Sequence, residues 1–148
     1  MKIKSVSFEN YKAFPENQTV QFKPITLLIG KNSSGKSSIA KLFTLLEKSL
    51  SGEIDEPLLV KNNGVELGAE FRDLVFSKAA STPIGFEIEF EKNLTLSIKV
   101  LQDQLKYNLD IREWSLNDFT ITYTPETGFW IQQIKDIKLS SKVSYLPK

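Results

Sequence analysis

The sequence of 148 residues contains neither cysteine nor histidine. The absence of cysteine excludes disulfides, thiolate catalysis and Cys-type zinc sites. The absence of histidine removes the commonest general base and the commonest transition-metal ligand. Any chemistry must therefore use carboxylates, lysines, hydroxyls, backbone groups and a hard metal such as Mg²⁺.

Long apolar runs and an excess of one charge are also missing. No apolar run approaches the roughly 20 residues that cross a bilayer. The opening MKIKSVSFENYK has no continuous apolar core, so we expect no signal peptide, no membrane partner and a cytoplasmic protein. The formal net charge of +1 gives no bulk electrostatic reason to expect nucleic acid or an anionic membrane as partner. A hydrophobic fraction of 41% nevertheless predicts a folded core.

The first third of the chain changes its apolar period at Gly30. Residues 2–9 and the surroundings of Val20 and Phe22 read as strands. The unalternating run Ile25–Ile29 predicts a strand buried on both faces, as within a parallel sheet. Beyond it, helical spacing predicts an amphipathic helix that starts near Gly35 and ends at Gly52; its apolar face comprises Ile39, Leu42, Phe43, Leu46 and Leu50.

The remainder divides into an irregular connector over 53–83, with a short helix near Phe71, and a region of period-two alternation over 84–148. The alternation predicts an antiparallel β-meander with one wet face. The predicted strands centre on Ile84–Phe90, Leu94–Val100, Leu105–Ile111, Phe119–Tyr123 and Phe129–Ile131. We therefore predict an α/β fold: one lobe over 1–148, with a mixed sheet containing the buried parallel strand, the helix after Gly35, and the meander.

Gly30 to Ser37 (GKNSSGKS) match the phosphate-loop pattern G-x-x-x-x-G-K-[ST]. The glycines allow the sharp turn and the close approach of backbone N–H groups to phosphate oxygens, at a helix N-terminus that favours an anion. Lys36 would reach the β- and γ-phosphates of ATP, and the Ser37 hydroxyl would bind Mg²⁺. The candidate nucleotide-binding residues are Gly30, Asn32, Ser33, Ser34, Gly35, Lys36, Ser37 and Ser38.

The segments IKSVSFENYKAF (3–14) and ITLLIGKNSSGKSSIAKLF (25–43) resemble the head domain of ATP-binding-cassette-type ATPases of the SMC and RecF-like group. That group includes prokaryotic AAA-type ATPases related to the overcoming-lysogenization-defect proteins. The Asn10–Lys12 triplet fills the group's Asn-aromatic-Lys/Arg element, and the match extends over about residues 1–45. Residues 67–75 (LGAEFRDLV) are similar to segments of uncharacterised members.

The resemblance implies further roles and partners. Lys12 would lie near the nucleotide. Tyr11 and Phe14 are expected to pack in the core, or as a hydrophobic staple at a helix start, rather than to stack on the adenine ring. Members of the group dimerise head to head, with ATP between a phosphate loop and the partner's signature motif. DNA is a partner on grounds of resemblance only, and a part in phage defence rests on the same grounds.

The aliphatic run ending in Asp-Glu that hydrolysis needs is not found in the sequence. Leu50–Glu53 (LSGE) has the letters of a signature motif, but it follows the phosphate-loop helix directly and is better explained as a helix end. We therefore expect this chain to be the first lobe of a larger ATPase, with its second lobe carrying the missing motifs.

Three other classes of protein compete with this interpretation. A small P-loop kinase uses several arginines, and this chain has only Arg72 and Arg112. A GTPase needs N-K-x-D and D-x-x-G elements, and neither is in the sequence. A module that binds nucleotide without hydrolysing it, or that serves assembly, remains open.

Overall fold

The computed structural model describes residues 2–51, 57–79, 81–103, 109–124, 128–133 and 141–143. One sheet has eight strands: β1 Ile3–Glu9, β2 Gln18–Gln21, β5 Ile84–Phe90, β6 Leu94–Gln102, β7 Leu109–Leu116, β8 Phe119–Thr124, β9 Gly128–Gln133 and β10 Ser141–Val143. They lie in the order β10-β9-β8-β7-β6-β5-β1-β2, and every described pairing is antiparallel. The remaining pair, β3 Lys61–Asn62 and β4 Val65–Glu66, forms a separate small hairpin.

The two faces of the sheet differ in polarity around β1 and β5. Val6 and Phe8 of β1 are buried, and they lie opposite Ile88 and Phe86 of β5 in the register. The other face carries serines and glutamates: Ser5 donates to Glu89, and Ser7 shares a 2.9 Å hydrogen bond with Thr19. Ser5 and Ser7 are themselves buried, but Glu87 of β5 is exposed between the buried Phe86 and Ile88, so the predicted alternation is confirmed for β5.

Helix α1, Lys36–Ser51, covers the apolar face of β1 and β5. Leu42, Leu45 and Leu46 are buried against the strands, and Ile39 and Phe43 pack beside them half-buried. The helix predicted after the glycine loop is therefore confirmed. Its predicted end at Gly52 lies outside the described residues.

The apolar run Ile25–Ile29 departs from the prediction. It forms no strand and pairs with no strand among the described residues. Ile25, Leu27 and Ile29 are 81%, 78% and 91% exposed, and Leu28 is 39% exposed. The predicted buried parallel strand is wrong for this chain, because the run pairs with none of the described strands and its side chains are exposed. Just after β2, the Phe22 N–H donates to the Lys4 carbonyl of β1 at 2.8 Å, and the Phe22 ring packs edge-on against Phe43 of the helix at 4.9 Å.

The connector folds into short, locally stabilised units. Asn63 and Gly64, with φ of 48° and 76°, form the tight turn of the β3–β4 hairpin. Two 3₁₀ turns follow, Phe71–Asp73 and Phe76–Lys78, where a short helix was predicted. Asp73 closes the first turn by accepting the backbone N–H groups of Ala69 and Glu70, and it also pairs with Lys78 at 2.9 Å.

The predicted meander is present, with boundaries shifted in one place. β5, β6, β8 and β9 cover the predicted alternations, whereas β7 begins at Leu109 and continues to Leu116. Most of the alternation predicted at 105–111 lies outside the described residues. Within the described part of the chain, no helix is both long enough and apolar enough to span a bilayer.

The first prediction concerns Asp73. Its hydrogen bonds to Lys78, Glu70 and Ala69 lower the pKa of the carboxyl group to about 2, below an unfolded value near 3.9. The carboxylate therefore stabilises the fold above about pH 4, and this contribution disappears as the pH falls towards 2. We expect Asp73→Asn to lower the melting temperature at pH 7. Between pH 4 and pH 2.5, the melting temperature of the variant should then fall less than that of the unmodified protein. Equal acid sensitivity of the two proteins would contradict this assignment.

Candidate nucleotide-binding site

The glycine-bounded loop of residues 30–37 lies on the surface between the exposed apolar run and α1. Its residues 31–34 are exposed. A turn closed by the Ser34 N–H and the Lys31 carbonyl, at 3.3 Å, reverses the chain. Ser33 and Gly35 both have positive φ, 63° and 88°. The loop thus curls ahead of the helix with its backbone accessible from solvent.

Backbone donors collect where the loop becomes helix. The N–H of Ile39 bonds to the Gly35 carbonyl at 3.0 Å. The preceding amides, of Lys36, Ser37 and Ser38, have no backbone acceptor among the described residues. Such unpaired donors and the helix dipole attract an anion to the N-terminus of a sixteen-residue helix.

The Lys36 side chain folds back across the loop. Its ammonium donates to the Gly30 carbonyl at 2.8 Å and also to the Lys31 carbonyl, and Ser34 Oγ lies 3.4 Å away. These bonds keep the positive charge at the concave side of the loop. An ammonium held by neutral carbonyls can exchange them for phosphate oxygens, because hydrogen bonds between charged partners are stronger.

Gly35 has no room for a side chain. Besides its φ of +88°, a Cβ at this position would stand 2.7 Å from Phe14 Cε2, closer than atoms pack. Gly30 is also confined, since a Cβ there would stand 2.8 Å from Ser34 Oγ. Gly35 is therefore required both by space and by its backbone conformation, whereas the exposed Ser34 side chain can rotate away from a Cβ at Gly30.

Tyr11 connects this loop's helix to the sheet. It is fully buried, and its hydroxyl donates to the Ser38 carbonyl at 3.1 Å. Its ring meets Phe8 and Phe86 edge-on at 5.8 and 5.7 Å. Burial raises the pKa of the Tyr11 hydroxyl, which therefore remains a donor at neutral pH. The expectation of a core residue rather than an adenine platform fits this position.

Lys12 lies beside the loop region, and its ammonium is engaged elsewhere. Its Nζ donates to the Leu67 carbonyl, and its backbone N–H donates to the Leu74 carbonyl at 2.7 Å. Burial lowers the pKa of the Lys12 ammonium, against the opposing effect of the nearby Asp73 carboxylate. The structure thus places Lys12 on the connector, and contact with a nucleotide stays a prediction.

The residues present fit a magnesium–triphosphate group. Ser37 is exposed at the start of α1, where its hydroxyl is free to face a metal beside phosphates. Among the described residues there is no cluster of three or more acidic side chains that would hold a metal by itself. A hard cation here would therefore depend on phosphate oxygens and the Ser37 hydroxyl together, as Mg²⁺ commonly does.

The structure brings the predicted loop residues together in one curve: Gly30, Asn32, Ser33, Ser34, Gly35, Lys36, Ser37 and Ser38. Sequence reasoning missed the part played by Phe14 and the Tyr11 hydroxyl, which contact Gly35 and Ser38 from more than twenty residues away. The only sequence signal was the position of both aromatic residues next to Asn10 and Lys12 in the element shared with the ATPase group.

A loop of this kind at a helix N-terminus defines the class of nucleotide-binding P-loop proteins. The family model for the AAA ATPase domain matches residues 1–144, nearly the whole chain. The chain belongs to the AAA ATPase domain family, which supports ATP binding of the P-loop ATPase type and implies use of ATP, usually with Mg²⁺. No curated protein matches the chain significantly.

The second prediction compares two glycines with positive φ. Gly64→Ala meets open space and carries only the backbone strain, about 1–2 kcal/mol. Gly35→Ala carries the same strain and also overlaps the Phe14 ring, so we expect it to lower the free energy of unfolding by about 2–4 kcal/mol. Chemical denaturation of both variants measures the difference. Equal losses would mean that Phe14 yields without cost.

Proposed function

We propose that this chain binds Mg-ATP through the loop Gly30–Ser37, a Walker A loop, as the first lobe of an ATPase of the SMC, RecF and OLD-like type. The observation that carries the proposal is the loop's position: an exposed curve at the N-terminus of α1, with unpaired amides at Lys36–Ser38 and the Lys36 ammonium across its concave side. The phosphates would lie on these donors, and Mg²⁺ beside the Ser37 hydroxyl. Asn32 to Ser34 would contribute further backbone N–H groups.

The exposed run Ile25–Ile29 supports a second lobe as partner. Four large apolar side chains are in water immediately before the nucleotide loop, and a cluster of this kind marks an interaction surface. The second ATPase lobe is the occupant we propose, because a body that covers this run also lies next to the loop. It would supply the Walker B and signature motifs that this sequence lacks.

Hydrolysis belongs to the completed protein under this proposal. The sequence has no aliphatic run ending in Asp-Glu, so the chain by itself is expected to bind nucleotide with little or no turnover. Lys12 remains a candidate contact to the nucleotide, reached if its ammonium leaves the Leu67 carbonyl. A head-to-head homodimer of the full protein, and DNA as a partner, are carried over from the resemblance alone.

The third prediction tests the loop. We expect Lys36→Ala to weaken Mg-ATP binding about 10- to 100-fold, because a hydrogen bond to a charged group contributes about 1.5–3 kcal/mol. Calorimetric titration of the purified protein measures the affinity. Lys31→Ala is the matched control, since it removes the same charge one residue after Gly30 from an exposed side chain. If the two variants lose affinity equally, the loop acts only through its bulk charge and the assigned role of Lys36 is wrong.

The fourth prediction tests the second lobe. In the 148-residue chain alone, we expect Leu27→Asp to leave the melting temperature nearly unchanged, because Leu27 is 78% exposed. In a protein that also contains the second lobe, the same change would bury a charge and abolish ATP turnover. Gln18→Asp, on an exposed residue of the edge strand β2, is the control. It should change neither the melting temperature of the chain alone nor the ATP turnover of the larger protein. Unchanged turnover by the Leu27 variant in the larger protein would rule out this surface as the docking site.

A further inference from the structure

The turn Asn10–Phe14 lies between the Gly30–Ser37 loop and the connector of residues 53–83, and it contacts both. On one side Phe14 lies against Gly35, and the Tyr11 hydroxyl bonds to the Ser38 carbonyl. The turn itself is closed by two 2.9 Å backbone hydrogen bonds between Tyr11 and Phe14. Both aromatic side chains therefore leave one hydrogen-bonded turn, and they reach Gly35 of the loop and Ser38 of α1, three residues apart.

We infer that Phe14 and Tyr11 are positioning residues that set the nucleotide affinity of the Gly30–Ser37 loop without touching the nucleotide. The inference rests on the proposed function of that loop. It assigns to the Asn10–Phe14 turn a role different from nucleotide contact by Lys12, whose ammonium points to the connector.

Gly35 needs such support because glycine has no side chain to restrict its backbone. A glycine adopts a wide range of φ and ψ at little cost, so a loop pivoting on it has no intrinsic preference for one direction of its N–H groups. The Phe14 ring fills the space beside the Gly35 α-carbon so closely that no Cβ fits there. Phe14 is itself fixed by an edge-on contact with the buried Phe8, at 5.2 Å. The sheet thereby holds the pivot of the loop in one conformation.

Tyr11 provides the second support, within the first turn of the helix. A carbonyl oxygen has two acceptor lone pairs, so Ser38 can accept the Tyr11 hydroxyl in addition to its bond within the helix. The buried phenol has no water to replace this acceptor, and the bond therefore fixes the first turn of α1 relative to β1. The unpaired amides of Lys36–Ser38 keep their direction as a result.

The connector holds the far side of the turn. Lys12 N–H donates to the Leu74 carbonyl at 2.7 Å, and Phe76 N–H donates to the Asn10 carbonyl at 3.1 Å. Tyr11 also forms an isolated β-bridge with Val75. Contacts thus run without interruption from the connector through the turn to Gly35 and Ser38. The turn is anchored on three sides, as a positioning element requires.

The fifth prediction tests this inference with the variants Phe14→Leu and Tyr11→Phe of the 148-residue protein. Phe90→Leu is the matched control. Phe90 is also a half-buried phenylalanine packed against the same core, and it lies at the other end of β5, opposite Ile3. We expect Phe14→Leu to weaken Mg-ATP binding on the order of tenfold and Tyr11→Phe to weaken it less. Phe90→Leu should bind within about twofold of the unmodified protein at a similar loss of melting temperature.

A second readout needs no nucleotide. Hydrogen exchange in peptides covering residues 35–43 should be faster in Phe14→Leu than in Phe90→Leu, because only Phe14 supports the start of α1. Equal exchange in the two variants, or equal losses of affinity, would overturn the positioning role. If the unmodified protein binds no Mg-ATP and Lys36→Ala changes nothing, the proposed function fails, while the exchange comparison still decides whether Phe14 holds the loop.

Discussion

The burial of Tyr11 is the constraint on which the described structure most depends. Its ring is shielded completely, between Phe8 of β1 and Phe86 of β5, and its hydroxyl holds the first turn of α1. Its backbone closes the turn with Phe14 and bridges to Val75 of the connector. One residue thus joins the sheet, the helix and the connector. The aromatic ring buries apolar surface, and the hydroxyl orients the first turn of α1 through its hydrogen bond to Ser38.

This junction explains how a surface loop can have a defined shape. The loop Gly30–Ser37 is exposed and follows a run with no sheet partner among the described residues, so its N-terminal side provides little support. Its shape depends instead on the helix that follows and on Phe14 beneath Gly35. The exposed run and the loop then form one continuous surface, apolar at Ile25–Ile29 and polar at the helix N-terminus. A partner lobe bound on the apolar part would lie beside any nucleotide on the polar part.

The sequence reasoning succeeded where the signal is local. Helical spacing from Ile39 to Leu46 predicted α1, and alternation over Ile84–Phe90 predicted β5, because each pattern reports which side of its own element is apolar. It failed at Ile25–Ile29, where the same apolar composition was read as burial. The apolar composition of such a run favours burial, but burial requires a second surface to pack against. None of the described residues provides that surface.

The sequence by itself determined the phosphate-loop motif, the helix after it, the antiparallel strands and the absence of cysteine and histidine chemistry. These properties follow from residue identity and spacing, which fix backbone preference and the amphipathic face of each element. Only the tertiary structure decided that Phe14 closes the space beside Gly35, that Tyr11 bonds to Ser38, and that Lys12 lies on the connector. Each of these contacts joins residues more than twenty positions apart, and the geometry that makes them arises when the turn after β1 packs against the helix and the connector.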